Sequence, residues 1–125
     1  MKKEPEVFIE HILESIELIE NYTANKTISD FIESVQLQDS IIRRIEIIGE
    51  AVKNLPAEVK SNYPDVPWKN IAGMRDVLIH KYFGIDLELT WQVVQNDIPD
   101  LKRENLKIKQ DLKNKSTSSS TNSTT

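Results

Sequence analysis

"VQLQDSIIRRIEIIGEAVKN", residues 35–54, sets Leu37, Ile41, Ile45, Ile48 and Val52 at steps of three and four, with Leu55 just beyond. On a helix of about 3.6 residues per turn these side chains fall along one face. Ile42 widens that face, while Ile47 and Ala51 lie on the opposite flank among Arg43, Glu46 and Glu50. A helix that is apolar on more than one side contacts more than one neighbour. The stretch therefore predicts a helix with more than one neighbour, and the expected fold is all-α, an antiparallel helical bundle of four to five helices. A subunit interface is one way to supply the second neighbour.

Upstream, "PEVFIEHILESIELIENYTA" (5–24) spaces Phe8, Ile12, Ile16, Ile19 and Tyr22 as the inner face of an amphipathic helix. His11 falls among its acidic residues and reads as a surface histidine. Thr27 or Ser29 can cap a short helix through Phe31 and Ile32. Downstream, "LPAEVKSNYPDVPW" (55–68) holds three prolines and reads as a linker around at most a short helical turn. Pro67 then suits the start of a helix running to about residue 83, with Gly84 as its stop and Asp86 as the next N-cap. The last helix carries Leu89, Val93 and Val94, is kinked or interrupted by Pro99, and continues through Leu101, Leu106, Ile108 and Leu112. Residues 1–115 form one helical domain in this reading. "STSSSTNSTT" (116–125) has neither charge nor apolar side chains and predicts a disordered tail.

With 38% hydrophobic and 29% charged residues, the 125-residue chain has the composition of a soluble globular domain. Only 3 Gly and 5 Pro, separated by long segments, favour helices over many short strands. The absence of cysteine removes disulfides and Cys-based metal sites. No apolar run approaches transmembrane length and the first residues lack a signal-type apolar region, so a cytoplasmic location without membrane contact is expected. A net charge of −4 argues against a broad basic surface for polyanions. The basic residues of "KRENLKIKQDLKNK" (102–115) read as a solvated helix end that complements its own dipole, with a polyanion contact as the alternative.

There is no Gly-rich phosphate loop, no metal-ligand spacing, no H-E-x-x-H and no G-x-S-x-G. Neither a metal nor another cofactor is expected. What remains is the group Arg75, Asp76, His80 and Tyr82 in "NIAGMRDVLIHKYFGID" (70–86). On a continuous helix, Trp68, Ile71, Leu78, Ile79 and Tyr82 project within roughly 60° of Arg75, which places the arginine in the apolar stripe. His80 points roughly 140° away, on a polar edge with Lys69, Gly73 and Asp76. A buried guanidinium without a partner costs on the order of 3–5 kcal/mol. Its partner is either a carboxylate such as Glu46 or Glu50 or the phosphate of a ligand. Asp76 and His80, four residues apart, can pair on a helix so that the carboxylate holds one imidazole nitrogen.

The pattern R-x-x-x-x-H-x-Y, here Arg75, His80 and Tyr82, resembles the HEPN superfamily and within it the HepT-like ribonuclease toxins. "RRIEIIGEAVKNLP" (43–56) and "PDVPWKNIAGMRDVLIHKYFGID" (64–86) resemble that family in order and separation. One departure is Asp76, where many HEPN proteins have Asn. The resemblance implies an all-helical homodimer that cleaves RNA without a metal, with Arg75 and His80 of both copies at one cleft. Asp76 is a candidate to orient His80, and Arg43, Glu46 and Glu50 to support the cleft. It further implies a cognate MNT-type nucleotidyltransferase antitoxin that attaches AMP to Tyr82. The alternative is a noncatalytic HEPN subunit that binds a nucleotide or substrate for such a nucleotidyltransferase.

Overall fold

A computed structural model describes residues 4–123, with side chains described to residue 115. The expected tail, 116–125, lies outside the fully described residues. Helix α1 (Pro5–Thr23) opens on a proline, whose fixed φ suits the first helical turn, and buries Ile9, Ile12, Ile16 and Ile19. Between it and the next long helix lies α2 (Ile28–Glu33), begun by Thr27. Thr27 Oγ1 accepts from the Asp30 amide at 3.2 Å, and the Asp30 carboxylate accepts from the Thr27 amide at 2.8 Å. This reciprocal box satisfies two helix-end donors at once and drives Phe31 into the core, where it packs on Trp91.

Helix α3 (Val35–Asn54) is capped by Ser34, whose Oγ accepts from the Leu37 amide at 3.0 Å. Ile41, Ile42, Ile45, Ile48, Ala51 and Val52 are all buried. One side of α3 packs on α1, and another meets the short helices that follow. Its second neighbour thus comes from the same chain. The proline-rich segment contains α4 (Ala57–Asn62) and is pinned from both ends. Trp68 Nε1 donates to the carbonyls of Lys60 and Tyr63, and the Tyr63 hydroxyl donates to Asp111 at 2.6 Å.

The helix expected over 67–83 is not continuous. The chain forms α5 (Trp68–Ala72), turns at Gly73, forms α6 (Met74–Leu78), and leaves the helix at Ile79. Strands β1 (Ile79–His80) and β2 (Gly84–Ile85) pair antiparallel, with Ile79 opposite Ile85 and His80 opposite Gly84. The amide of Asp86 closes this small hairpin on the carbonyl of Leu78 at 2.8 Å. Gly84 has φ +76°, a left-handed conformation that glycine adopts without the steric cost of a side chain. It serves a hairpin turn instead of stopping a helix. The β-branched Ile79 and Ile85, paired across the two strands, pack readily on extended backbone.

Asp86 caps α7 (Leu87–Gln92), accepting from the Leu89 amide at 3.1 Å. A π-helical turn follows at Val93–Asp97 and continues into α8 (Ile98–Ser123). Pro99 has no amide hydrogen and its ring crowds the preceding carbonyls, and here the chain widens into an i to i−5 turn, with Ile98 N–H donating to Val93 O. Along α8 the inward line runs through Leu101, Asn105 and Ile108, at steps of four and three. Leu106, expected on that line, is one residue out of phase and is exposed. Asn105 takes the core position and donates to the Leu101 carbonyl at 2.9 Å. The cations of this segment do more than complement a helix end: Lys102 pairs with Glu20 and Lys109 with Glu10, tying α8 to α1. The fold is all-α, with one minimal hairpin set into it. Among the described residues, no helix is long and apolar enough to cross a membrane.

Candidate active site

Gly49 sits where the end of α5 meets α3. A Cβ at this position would lie 3.1 Å from the carbonyl oxygen of Ala72, tighter than ordinary van der Waals contact. The missing side chain lets α5 close on α3, and the turn at Gly73 then carries α6 across it. Arg75 on α6 consequently meets Glu46 on α3, with Nε 3.0 Å from Oε2. The other oxygen of Glu46 accepts from Arg43, one turn earlier on the same helix. Glu46 is therefore held between two guanidinium groups. The Arg43 hydrogen bond, reinforced by the charges of Arg43 and Arg75, keeps its carboxyl below the usual value against the opposing effect of burial.

Of the two carboxylates expected as partners of Arg75, the structure selects Glu46. Glu50 pairs with Lys53 at 3.2 Å instead. Arg43, Glu46, Glu50, Arg75 and Asp76 nevertheless line one groove of 410 Å³, with Gly49 and Ala72 in its wall. Arg75 does not lie in an apolar stripe: its side chain is 44% exposed. Trp68, Ile71 and Leu78 are buried as the helical phase predicted, whereas Arg75, in the first turn of α6 after the break at Gly73, lines the groove.

His80 lies on β1, with about half of its side chain exposed and Nε2 3.9 Å from Asp86 Oδ2. The expected pairing of Asp76 with His80 is not formed. That pairing required a helix through residue 80, and α6 ends at Leu78. Asp76 turns to Arg75, Nη1 to Oδ1 at 3.4 Å. Tyr82, expected in line with Arg75 along a helix, stands at the hairpin tip and is 83% exposed, beside Phe83 at 88%. The ammonium of Lys81 lies 5.7 Å from the centre of the Tyr82 ring. His80 and Tyr82 do not line the Arg75 groove.

Reading the sequence missed two residues here. Asp86 was assigned only as a cap, and its approach to His80 depends on the hairpin register. Phe83 carried one usable signal: next to Gly84, it falls in a turn, where a large apolar side chain has no core to enter. Chemically, the arrangement offers an exposed guanidinium fork suited to phosphate oxygens and an accessible imidazole suited to proton transfer. Among the described residues, no cluster of acidic and histidine side chains is placed to hold a metal ion.

Residues 12–108 match the family described as "Ribonuclease HepT-like". The chain belongs to this family. A HepT-like relative from Thermococcus cleftensis, named "Probable ribonuclease HepT", is 46% identical over 82% of this chain and 93% of its own length. A "Putative RNase" of Caldanaerobacter subterraneus is 42% identical over 82% of this chain and 91% of its own. A Methanocaldococcus jannaschii protein named "Gamma-glutamylcyclotransferase and putative RNase" is 61% identical over 92% of this chain. This chain spans about half of that protein, 52% of its length. No solved structure matches the chain. The HepT-like match includes α6 and the hairpin, so Arg75, His80 and Tyr82 all fall inside it.

Proposed function

We propose that this HepT-like chain is the toxin of a toxin–antitoxin pair, a metal-independent endoribonuclease that works as a homodimer and is neutralised by AMPylation of Tyr82. The observation that carries this reading is that Arg75, His80 and Tyr82 all keep their functional groups at the surface, none of them spent on the core. Family membership supplies the reaction class, and the exposed side chains supply chemistry that fits it.

In the reaction, a ribose 2′-oxygen attacks the adjacent phosphorus, the O2′–P bond forms and the P–O5′ bond breaks. One His80 imidazole accepts the 2′-hydroxyl proton. A second, protonated imidazole from the partner copy gives a proton to the departing 5′-oxygen, leaving a 2′,3′-cyclic phosphate and a free 5′-hydroxyl. An imidazole suits both roles because it accepts a proton on one nitrogen when neutral and gives one up when protonated. Arg75 stabilises the charge that builds on the phosphate oxygens. Glu46 holds Nε of Arg75 and leaves other donors of the guanidinium for the substrate.

The two copies meet, in this reading, through the apolar surface left open by one chain. Val77 is exposed on α6 beside a groove formed with Met74, Leu78, Leu89 and Val93, and Tyr82 and Phe83 stand clear of the hairpin. The partner is a nucleotidyltransferase of the MNT type, whose reaction adds AMP to the exposed Tyr82 hydroxyl.

The test is cleavage of an RNA oligonucleotide by purified protein in the presence and absence of chelator. Wild type should cut in both and leave a cyclic phosphate end. His80→Ala and Arg75→Ala should each lose cutting by at least about 100-fold. Normal cutting by His80→Ala overturns the reading. A wild type that binds nucleotide but cuts nothing favours the noncatalytic subunit instead.

A further inference from the structure

We infer that Asp86 is the positioning residue of His80, holding Nε2 so that Nδ1 carries the proton in catalysis. The inference rests on the ribonuclease reading for its consequence, and on the hairpin for its geometry.

Asp86 is clamped on three sides. Its amide donates to the Leu78 carbonyl at 2.8 Å. Its own carbonyl accepts from the Thr90 amide at 3.0 Å and from the buried Thr90 hydroxyl at 2.7 Å. Its Oδ1 accepts from the Leu89 amide at 3.1 Å as the cap of α7. These contacts hold the backbone and one carboxylate oxygen, and the other oxygen, Oδ2, is the one at 3.9 Å from His80 Nε2. The hairpin register supplies the other half of the arrangement. His80 stands opposite Gly84, so residue 86 returns alongside the start of β1. Asp76, the carboxylate closer in sequence, is turned to Arg75.

A neutral imidazole has one N–H and one acceptor nitrogen, and its partner decides which is which. A carboxylate accepts only, so Asp86 favours a proton on Nε2. The lone pair is then on Nδ1, and Nδ1 is the atom that takes the 2′-hydroxyl proton. The 3.9 Å approach is longer than a hydrogen bond, and catalytic hydrogen bonds are often long without substrate and tighten when it binds.

A cap alone and a positioning carboxylate give different results on substitution, because Asn and Ser both cap helices about as well as Asp. Asp86→Asn is the decisive variant. Its amide oxygen keeps the bond to Leu89, which turns the NH2 group toward His80 and makes Nε2 the acceptor. Asp86→Ser keeps the cap with a side chain too short to reach the imidazole. Nitrogen-15 NMR of the imidazole of full-length protein should show the Nε2–H tautomer in wild type, the Nδ1–H tautomer enriched in Asp86→Asn, and a mixture in Asp86→Ser. Both variants should keep the thermal midpoint within a few degrees. Their kcat should fall by at least about tenfold, further for Asn than for Ser, with KM within about twofold.

A wild-type tautomer spectrum in either folded variant overturns the inference. So does wild-type kcat in Asp86→Asn. The tautomer readout needs no RNA, which separates this inference from the ribonuclease reading: if His80→Ala cuts normally, that reading fails while the tautomer result still stands or falls by itself.

Discussion

Glu46 on α3 and Arg75 on α6 meet at 3.0 Å, joining the two sequence blocks that resemble HepT-like proteins through a single ion pair. The same carboxylate is shared with Arg43. Both partners are partly exposed, so the contact is expected to contribute about 0.2–1 kcal/mol to stability, a typical value for solvated pairs. Glu46→Gln should therefore change the thermal midpoint by only a few degrees. Because it frees the orientation of Arg75, it should also raise KM for RNA at least threefold. Equal KM in Glu46→Gln and wild type, measured with the same oligonucleotide, would remove Glu46 from the cleft.

Tyr82 stands at a hairpin tip and is exposed before any partner arrives. Incubation with a cognate nucleotidyltransferase, ATP and magnesium should raise the mass of the protein in AMP steps and abolish cleavage. Each added phosphate would bring negative charge toward the site proposed to hold RNA phosphate. Tyr82→Phe should cut RNA and resist silencing. Mass spectrometry of that variant checks the assignment: AMP found on it, together with loss of cutting, would place the modified residue elsewhere.

The family resemblance implies self-association, and the breadth of the apolar face at 35–54 leaves room for a subunit interface. In the structure α3 packs on its own chain along most of its length, with Val35 exposed at its first turn, and within 67–83 the exposed apolar side chains are Val77, Tyr82 and Phe83. Sedimentation at micromolar concentration should give a dimer for wild type. Val77→Glu should shift the distribution to monomer and lower cleavage in parallel, without unfolding a residue that lies outside the core. A monomeric wild type that still cuts RNA would argue for a site complete in one chain.

Burial, followed by the hydrogen bond to Asp111 and the charge of that carboxylate, pushes the Tyr63 hydroxyl up to about 12. The folded value lies above the unfolded one of about 10. The bond thus stabilises the fold fully below pH 10, and its contribution is lost as pH rises toward 12. Tyr63→Phe should lower stability by about 0.5–1.5 kcal/mol at pH 8, the net worth of one hydrogen bond. Denaturant melts across pH 8–12 should show the difference from wild type closing. A constant difference over that range would mean that packing, not the hydroxyl, makes the contribution.

Gly84 holds the turn that presents His80, with φ +76° and open space where a Cβ would be. Gly84→Ala meets no neighbour, so its cost is conformational, about 1 kcal/mol. Far-UV circular dichroism should be unchanged while kcat falls, since the hairpin and not the helices takes the strain. Wild-type kcat in this variant would show that His80 does not depend on the hairpin.

The long helices were legible because burial imposes a spacing that a linear sequence records. Ile12, Ile16 and Ile19 on α1 and Ile41, Ile45, Ile48 and Val52 on α3 occupy the core as their steps of three and four require. Caps were legible for a similar reason: Thr27 and Asp86 each satisfy amides within three residues, so their partners are local. Residues 70–86 were misread because the same periodicity was extended past its support. Gly73 and Gly84 carry no spacing signal, and β-branched residues in a short run suit a helix or a strand.

By itself, then, the sequence determined an all-α fold and its main core, and it singled out the side chains proposed for chemistry: Arg75, His80, Tyr82, Asp76 and the carboxylates of α3. Only the tertiary structure decided their partners. Glu46 rather than Glu50 meets Arg75 because Gly49 admits the end of α5 against α3. Asp86 rather than Asp76 faces His80 because the chain reverses at Gly84. Both outcomes depend on contacts between segments that no local periodicity encodes, and each is set by a glycine whose significance lies in the neighbour it approaches or the turn it permits.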